Sequence, residues 1–474
     1  MKRRALASVL LLSLALASPA RGAALYADQV VERTLPNGFK MLLLEDHKAP
    51  VAVVQVWYRV GGRNEVPGVT GLSHMLEHML FKGTEKYPNG EYSRIIARNG
   101  GDENAFTSDD ATTYFAKLAA DRIDVEIGLE ADRMRNVILS EELFEPERQV
   151  VTEERRMRVD DQPTAYLFET LTAATFLEHP YRQPVIGWAS DIAGWKLTDL
   201  RAHYDQYYQP NNAFLVAVGD FDAEALAKKI EASFGPIPRG PEPPPVRARE
   251  QEPRGPVRVL VERPAKLPFI AVNYRVPNLR HADSPALEVL EVVLSGGKSS
   301  RLYRSLVEDG RIALDASAGY ARTARDDKTF TLSAQAQPGI DAERMERALL
   351  EQVEAIQTKA PSDAELARAK AQIESSFIFS LDSMFYRAML LGTYEIAGSW
   401  RDIDEYLPAV RKVTADDVQR VARTWLTEKN RVTGVLIPAK DESAEAPMPV
   451  VPPLAPAGAP APDGPGAAPG TGVR

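Results

Sequence analysis

The chain repeats itself. Val56-Trp57-Tyr58-Arg59-Val60, within a run of strand-like alternation, has a counterpart in Val272-Asn273-Tyr274-Arg275-Val276. Downstream, Leu76-Glu77-His78-Met79-Leu80-Phe81-Lys82-Gly83 lines up with Leu290-Glu291-Val292-Val293-Leu294-Ser295-Gly296-Gly297. The offsets are 216 and 214 residues, so only a small gap separates the two matches. Between the copies runs Pro236 to Pro256, with Pro241-Glu242-Pro243-Pro244-Pro245 near its start. Proline-dense backbone is extended and semi-rigid, which suits a spacer between domains. A chain of 474 residues is also too long for one compact core. The pattern therefore predicts one domain plan used twice, with strands and amphipathic helices alternating in each copy, an α/β or α+β fold.

The two ends read differently. Lys2, Arg3 and Arg4 precede an apolar run from Ala5 to Ala17, followed by Ser18-Pro19-Ala20-Arg21-Gly22-Ala23. A basic start, a short apolar stretch and small residues beyond predict a secretory signal peptide over 1–22. The apolar stretch is shorter than the roughly 20 residues a membrane-spanning helix needs. Its removal takes away four positive charges and no acid, moving the formal charge from −9 to −13. So acidic a chain argues against nucleic acid as a partner. Export by a bacterial type of signal predicts a periplasmic protein, with outer-membrane association or full secretion as the alternatives, and no later segment is apolar and long enough to span a membrane. At the other end, Ala446 to Arg474 is mostly Pro, Ala and Gly. Such a stretch cannot offset its own ordering entropy, which predicts a disordered tail over 441–474.

Composition narrows the chemistry. The chain has no cysteine, which removes disulfides, thiolate nucleophiles, iron–sulfur clusters and Cys-held zinc. A metal must then be held by carboxylates and some of only six histidines. Two of them stand in His74-Met75-Leu76-Glu77-His78. Thr70 as N-cap and Gly83 as C′ residue bracket a short helix there. Leu72, Met75, Leu76, Met79 and Leu80 make its apolar stripe, so most of the helix should be buried. On a helix His74 and His78 are one turn apart on one face, with Glu77 beside them. Two imidazoles so placed can grip one zinc ion, and a neighbouring carboxylate can take a proton from water on it.

A catalytic zinc site needs a third protein ligand and a free fourth position. Glu145-Pro146-Glu147 opens a helix with Pro at its first turn, and Glu147 and Glu154, seven apart, share a face with Val150 and Val151. Glu153 points away. Two carboxylates on an apolar stripe are costly unless a cation meets them. For Glu154 that cation is either Arg158, four residues on, or something held with the histidines.

At this point the sequence resembles the M16 family of zinc metallopeptidases, the insulinase, pitrilysin and mitochondrial processing peptidase group, in a short two-domain bacterial form. The resemblance runs from about Arg33 to about Pro438. The family pattern is HxxEH followed some 75 residues later by a glutamate ligand. It implies His74, His78 and Glu154 as ligands of one Zn2+ per chain, Glu77 as general base and Glu147 as a supporting acid behind the ligands. Gly100-Gly101-Asp102-Glu103-Asn104-Ala105-Phe106-Thr107-Ser108 is similar to the segment where members present a strand edge to substrate, implying Asn104, Ala105 and Thr107 as substrate-binding residues. His179-Pro180-Tyr181 and Tyr208-Gln209-Pro210-Asn211-Asn212 look like fold signatures, and His179 and His203 are read as structural.

The resemblance implies an α+β chain of two homologous metallohydrolase-like domains, each a mostly antiparallel sheet with packed helices. The zinc-bearing domain is expected over 23–238, the Pro-rich linker over 239–256, and a ligand-free second domain over 257–440, where Glu288 and Val292 stand opposite His74 and His78. One departure matters. Active members commonly carry, in the second domain, an Arg and a Tyr seven apart that hold substrate near the zinc. Here those positions fall on Val307 and Leu314, with Arg304, Arg311 and Tyr320 as nearby candidates to substitute. The expected activity is a zinc-dependent endopeptidase acting on unfolded peptides or a precursor. The expected partner is a related subunit without zinc ligands but with the Arg/Tyr pair, or a second copy of this chain. The alternative is a non-catalytic scaffold or peptide-binding subunit.

Overall fold

The computed structural model describes residues 26–253 and 255–439. The expected signal peptide and C-terminal tail lie outside the described residues. The first half forms β1 (Val30–Thr34), β2 (Lys40–Glu45), β3 (Val51–Tyr58), β4 (Asp102–Thr107), β5 (Thr112–Ala119) and β6 (Ala213–Gly219). They make one sheet in the order β1-β2-β6-β3-β5-β4. The second half forms β7 (Val257–Pro264), β8 (Phe269–Val276), β9 (Ala313–Tyr320), β10 (Lys328–Ala336) and β11 (Arg431–Ala439). Their order is β7-β11-β8-β10-β9. Set β1 aside and the two orders are the same, with the repeated segments falling on β3 and β8. In each sheet one pair is parallel, β2 with β6 and β7 with β11, and all other pairs are antiparallel. The chain is thus an α+β protein of two like domains. Residues 240–253 between them form neither helix nor strand.

The first sheet is buried on both faces, so its central strands lack polar alternation. All seven residues of β6, Ala-Phe-Leu-Val-Ala-Val-Gly, are buried. One face, through Met41, Leu43, Val54, Val56 and Leu215, packs on helices of its own half, including α1 (Leu72–Leu80), α2 (Glu91–Arg98), α3 (Ile123–Asn136) and α4 (Glu141–Arg155). The other face, through Leu42, Leu44, Val53, Trp57, Phe214 and Val216, is covered by the helix Met384–Ala397 from the second half. The exchange is reciprocal. Helix α5 (Pro163–Thr175) leaves the first half and packs Leu167 and Leu171 on Val261, Ala271, Val432 and Leu436 of the second sheet. Each crossing uses a glycine for close approach: Gly392 lies against the Trp57 ring, and Gly434 against Leu167 and Leu171.

An ionic seam also joins the halves. Arg63, 7% exposed, sits between Asp110 and Asp326, and Lys328 meets Asp109 at 2.5 Å. His179 accepts the Tyr181 N–H at Nδ1, with Nε2 3.2 Å from Asp326. Among the described residues no helix is long and apolar enough to cross a membrane.

Candidate metal centre

Helix α1 begins differently from the expectation. Its N-cap is Gly71, in a left-handed conformation with φ 90°, not Thr70. A Cβ at Gly71 would stand 2.5 Å from the Ile186 carbonyl oxygen, so side chain and conformation both demand glycine. Thr70 is buried and locks the preceding turn: its N–H and hydroxyl both donate to Asp191, and its carbonyl accepts from Trp195 Nε1. Capping falls to Glu65, whose carboxylate accepts the N–H groups of Gly71 and Ser73, each at 2.6 Å. These bonds satisfy donors that the helix itself cannot and set an acid at its positive end. The stripe Leu72, Met75, Leu76, Met79 and Leu80 is buried as expected.

Helix α4 lies against α1. It starts at Glu141, five residues earlier than the reading that placed Pro146 in the first turn. Pro146 stands inside the helix and removes one hydrogen bond, to the carbonyl of exposed Glu142, which water can answer. Val150 is 49% exposed, correcting its assignment to the inner face. At 100° per residue Val150 and Val151 fall roughly 50° to either side of the Glu147–Glu154 line, and α1 covers only the Val151 side. Glu153 is exposed and pairs with Arg156.

His74, His78 and Glu154 converge, with one ligand atom from each lying within 4.8 Å of the others. His78 Nε2 is 3.3 Å and His74 Nε2 3.8 Å from Glu154 Oε2. Those separations are near the ~3.3 Å edge of a tetrahedron built on bonds of about 2.0–2.1 Å. Among the described residues no other group of three or more His, Asp or Glu is so placed. Glu154 answers both readings of the sequence at once: Oε1 pairs with Arg158 at 2.7 Å while Oε2 faces the histidines.

The carboxylates favour positive charge in the cluster, carried at His78 by a proton that a metal ion would displace. Burial, then the charge of His78, pulls His74 down to about 4, so its imidazole is neutral. Burial also lowers His78, but hydrogen bonds to Glu147 and Glu154 outweigh it and hold His78 at about 9. Burial works against the charged forms of Glu147 and Glu154, and their hydrogen bonds to His78 overcome it, leaving both below the usual carboxylate range. His74 turns Nε2 to the cluster, and its other nitrogen, Nδ1, is buried with no hydrogen-bond partner. A neutral imidazole, a second imidazole and an ionised carboxylate, with carboxylates around them, are a donor set that fits a divalent cation such as zinc.

Behind the cluster, His78 Nδ1 meets Glu147 Oε1 at 2.8 Å, and Lys82 Nζ holds the other Glu147 oxygen at 2.5 Å. His203 Nε2 contacts Ser73 Oγ at 3.0 Å beneath α1. Glu77 points beside the cluster, and burial pushes its pKa up. Its Oε2 accepts a 2.5 Å hydrogen bond from Thr107 Oγ1. Strand β4 is the edge of its sheet, as the substrate-edge reading requires, and Asn104 and Ala105 lie on it. Asn104 Oδ1 accepts the Ala105 N–H at 2.8 Å. Lys82, Glu65 and the Thr107–Glu77 bond were missed from sequence. Only Lys82, one turn beyond His78, carried a local signal.

The second domain replaces the cluster with a different solution. The helix Ser284–Ser295 carries Glu288, Glu291 and Val292 where α1 has His74, Glu77 and His78. Arg322 Nε lies 3.4 Å from Glu288, and its Nη1 donates to Tyr394 at 2.8 Å. A fixed guanidinium thus stands among the acids. Burial, then the charge of Glu288, pushes Glu291 up to about 8. Val307 packs on the second core and Leu314 is 45% exposed. Tyr320 donates to the Pro277 carbonyl and lies in hydrogen-bond contact with the Ser284 hydroxyl at 3.1 Å, and so belongs to the fold.

A duplicated α+β fold with an inverted His-Glu-His helix and a distant glutamate in one copy alone defines a class of protein. Residues 40–188 match the family described as insulinase, peptidase family M16, and residues 194–373 match the peptidase M16 inactive domain. The chain belongs to peptidase family M16. It is 32% identical to the zinc protease PqqE of Helicobacter pylori over 441 residues, spanning 91% of this chain and 98% of that one. The crystal structure of a protease from Helicobacter pylori superposes with a TM-score of 0.84 at 32% identity, covering 86% of this chain and all of that one. The first half of the periplasmic protease PqqL from Escherichia coli shares the fold at 17% identity, with a TM-score of 0.71 over 87% of this chain and 92% of that one.

Proposed function

We propose that this chain is a zinc-dependent endopeptidase acting on extended, unfolded peptides. One observation carries the reading: His74, His78 and Glu154 converge within bonding range of one ion, with Glu77 beside them and a free strand edge alongside. His74, His78 and Glu154 would hold zinc, which when bound supplies Lewis acidity to a water and to the scissile carbonyl. Glu147, itself held by Lys82, fixes the His78 tautomer and directs its Nε2 inward. Glu77, with Oε2 held by Thr107, has Oε1 left to take the proton of the attacking water and deliver it to the leaving amine. Burial raises the pKa of Glu77, which makes it a stronger proton acceptor than a free carboxylate. An extended peptide adding to β4 gains main-chain hydrogen bonds with little demand on its side chains.

The same reading gives the chain a partner. Val307 and Leu314 offer neither guanidinium nor phenol for substrate, and a second copy would repeat the lack, so a related subunit bearing that pair is the partner that completes the site. A signal peptide over 1–22 would put the activity in the periplasm. The rival reading, a non-catalytic peptide-binding subunit, is favoured by the same two positions. A fluorogenic peptide assay decides between them. Zinc-dependent cleavage that chelation abolishes, and that Glu77→Gln removes while zinc stays bound, supports the peptidase. No cleavage by the zinc-loaded chain, alone or with a partner, refutes it.

A further inference from the structure

Thr107 does two things in one place. Its side chain reaches inward: Oγ1 donates to Glu77 Oε2 at 2.5 Å. Its main chain faces outward, as the ladder between β4 and β5 establishes. Ser108 N–H bonds the Ala111 carbonyl, and the Ala111 N–H bonds Ser108 Oγ, so at this pair the two main chains face each other. Opposed residues alternate in an antiparallel pair. The next pair, Thr107 with Thr112, therefore turns its N–H and C=O away from β5, as do Ala105 opposite Tyr114 and Glu103 opposite Ala116. With β4 at the sheet edge, those groups face open space. The Ala105 N–H agrees, being met by the Asn104 side chain rather than by β5. On the inner side Glu103 accepts from Ser93 of α2 and Ala105 packs on the first core, so 103, 105 and 107 all turn their side chains toward the helices.

Resting on the peptidase reading, we propose that Thr107 is a positioning residue for Glu77, tying the alignment of the base to the strand on which substrate docks. A glutamate side chain has three free torsions, whereas a β-branched threonine is stiff at χ1 and takes its direction from the strand. The hydroxyl therefore transmits the setting of β4 to the carboxylate. A peptide pairing with the outward groups of Thr107 fixes the residue whose side chain holds the base. Thr107 thus acts on substrate through its backbone and on the chemistry through Glu77, and its side chain is not a substrate contact.

The test compares Thr107→Val and Thr107→Ser with wild type in the zinc-loaded full chain, together with its partner if one is needed. Thr107→Val should keep one zinc per chain and a KM within twofold, and lose roughly 10–100-fold in kcat. Thr107→Ser should restore most of kcat. Crystal structures of the two variants should show the Glu77 carboxylate displaced in Thr107→Val and in place in Thr107→Ser. A rise in KM at constant kcat, or a Glu77 unmoved in Thr107→Val, overturns the proposal. If wild type itself cleaves nothing, the peptidase reading falls, and the Glu77 position in the two crystal structures still decides the positioning role.

Discussion

Two glycines, both inside helices, should respond in opposite directions to the same substitution. Gly392 lies on the helix Met384–Ala397, which crosses to the first sheet. A Cβ there would stand 2.2 Å from Trp57 Cε2 and 2.3 Å from Cζ2, over 1 Å inside ordinary contact. The ring cannot yield easily. It stacks on Phe214 at 5.9 Å, meets Phe106 edge-on at 5.7 Å, and donates its N–H to Gln55 at 3.0 Å. The helix must therefore move, loosening the seating of Ala388, Met389, Leu391 and Tyr394. Overpacking costs about 1–3 kcal/mol, and a ring pinned on three sides puts Gly392→Ala near the upper end. Alanine returns about 1 kcal/mol of helix propensity, leaving a net loss of about 2 kcal/mol. Gly128 on α3 has nothing within 4 Å of its would-be Cβ, so Gly128→Ala collects only the propensity, a gain of about 0.5–1 kcal/mol. At about 2–4 °C per kcal/mol for domains of this size, melting should fall by about 4–8 °C in the first and rise by about 1–4 °C in the second. Urea unfolding followed by tryptophan fluorescence, on the same transition for all three proteins, measures both. A Gly392→Ala protein as stable as wild type would refute the close seating of this helix on Trp57.

Other perturbations separate the metal site from its surroundings. His78→Ala should abolish both zinc binding and turnover, measured by metal analysis beside the peptide assay. Glu147→Gln should weaken zinc affinity about 10–100-fold in chelator competition, because it weakens the bond orienting His78; unchanged affinity would deny Glu147 that role. Glu291 has its folded-state pKa raised from 4.5 to about 8, so the stability it contributes is full below 4.5 and lost as pH rises through about 8. Glu291→Gln should accordingly resist urea better than wild type above pH 8 and show little difference at pH 4. Equal sensitivity of the two proteins across that window would contradict the assignment.

The sequence revealed what is local. The spacing of His74, Glu77 and His78 and the buried stripe beside them needed only helical geometry. The repeat placed β3 and β8 at like positions because the strands keep their own residue patterns. The boundary of α4 was hidden because Pro146 is as good a first-turn residue as an interior one with a solvated carbonyl behind it. The capping of α1 was hidden because Glu65 bonds from outside the helix while Thr70, the better cap by residue type, is spent on Asp191. The destination of α5 was not legible at all. Leu167 and Leu171 make the same apolar stripe whichever sheet they cover, and nothing near them names the other domain. Thr107 was read through its strand, while its hydroxyl's partner lies thirty residues upstream.

The exchanged helices also set an order of events during synthesis. The first sheet gains its last strand at Gly219, yet the helix that shields its outer face starts only at Met384. At about 5–20 residues per second, Leu42, Leu44, Phe214 and Val216 wait on the order of ten seconds or more for their cover. Throughout that interval the emerging polypeptide displays a sticky surface that its own C-terminal portion has yet to hide. A ribosome-bound or export chaperone that recognises apolar strands has its opening there, and a truncation before Met384 should yield an aggregating fragment rather than a smaller working domain.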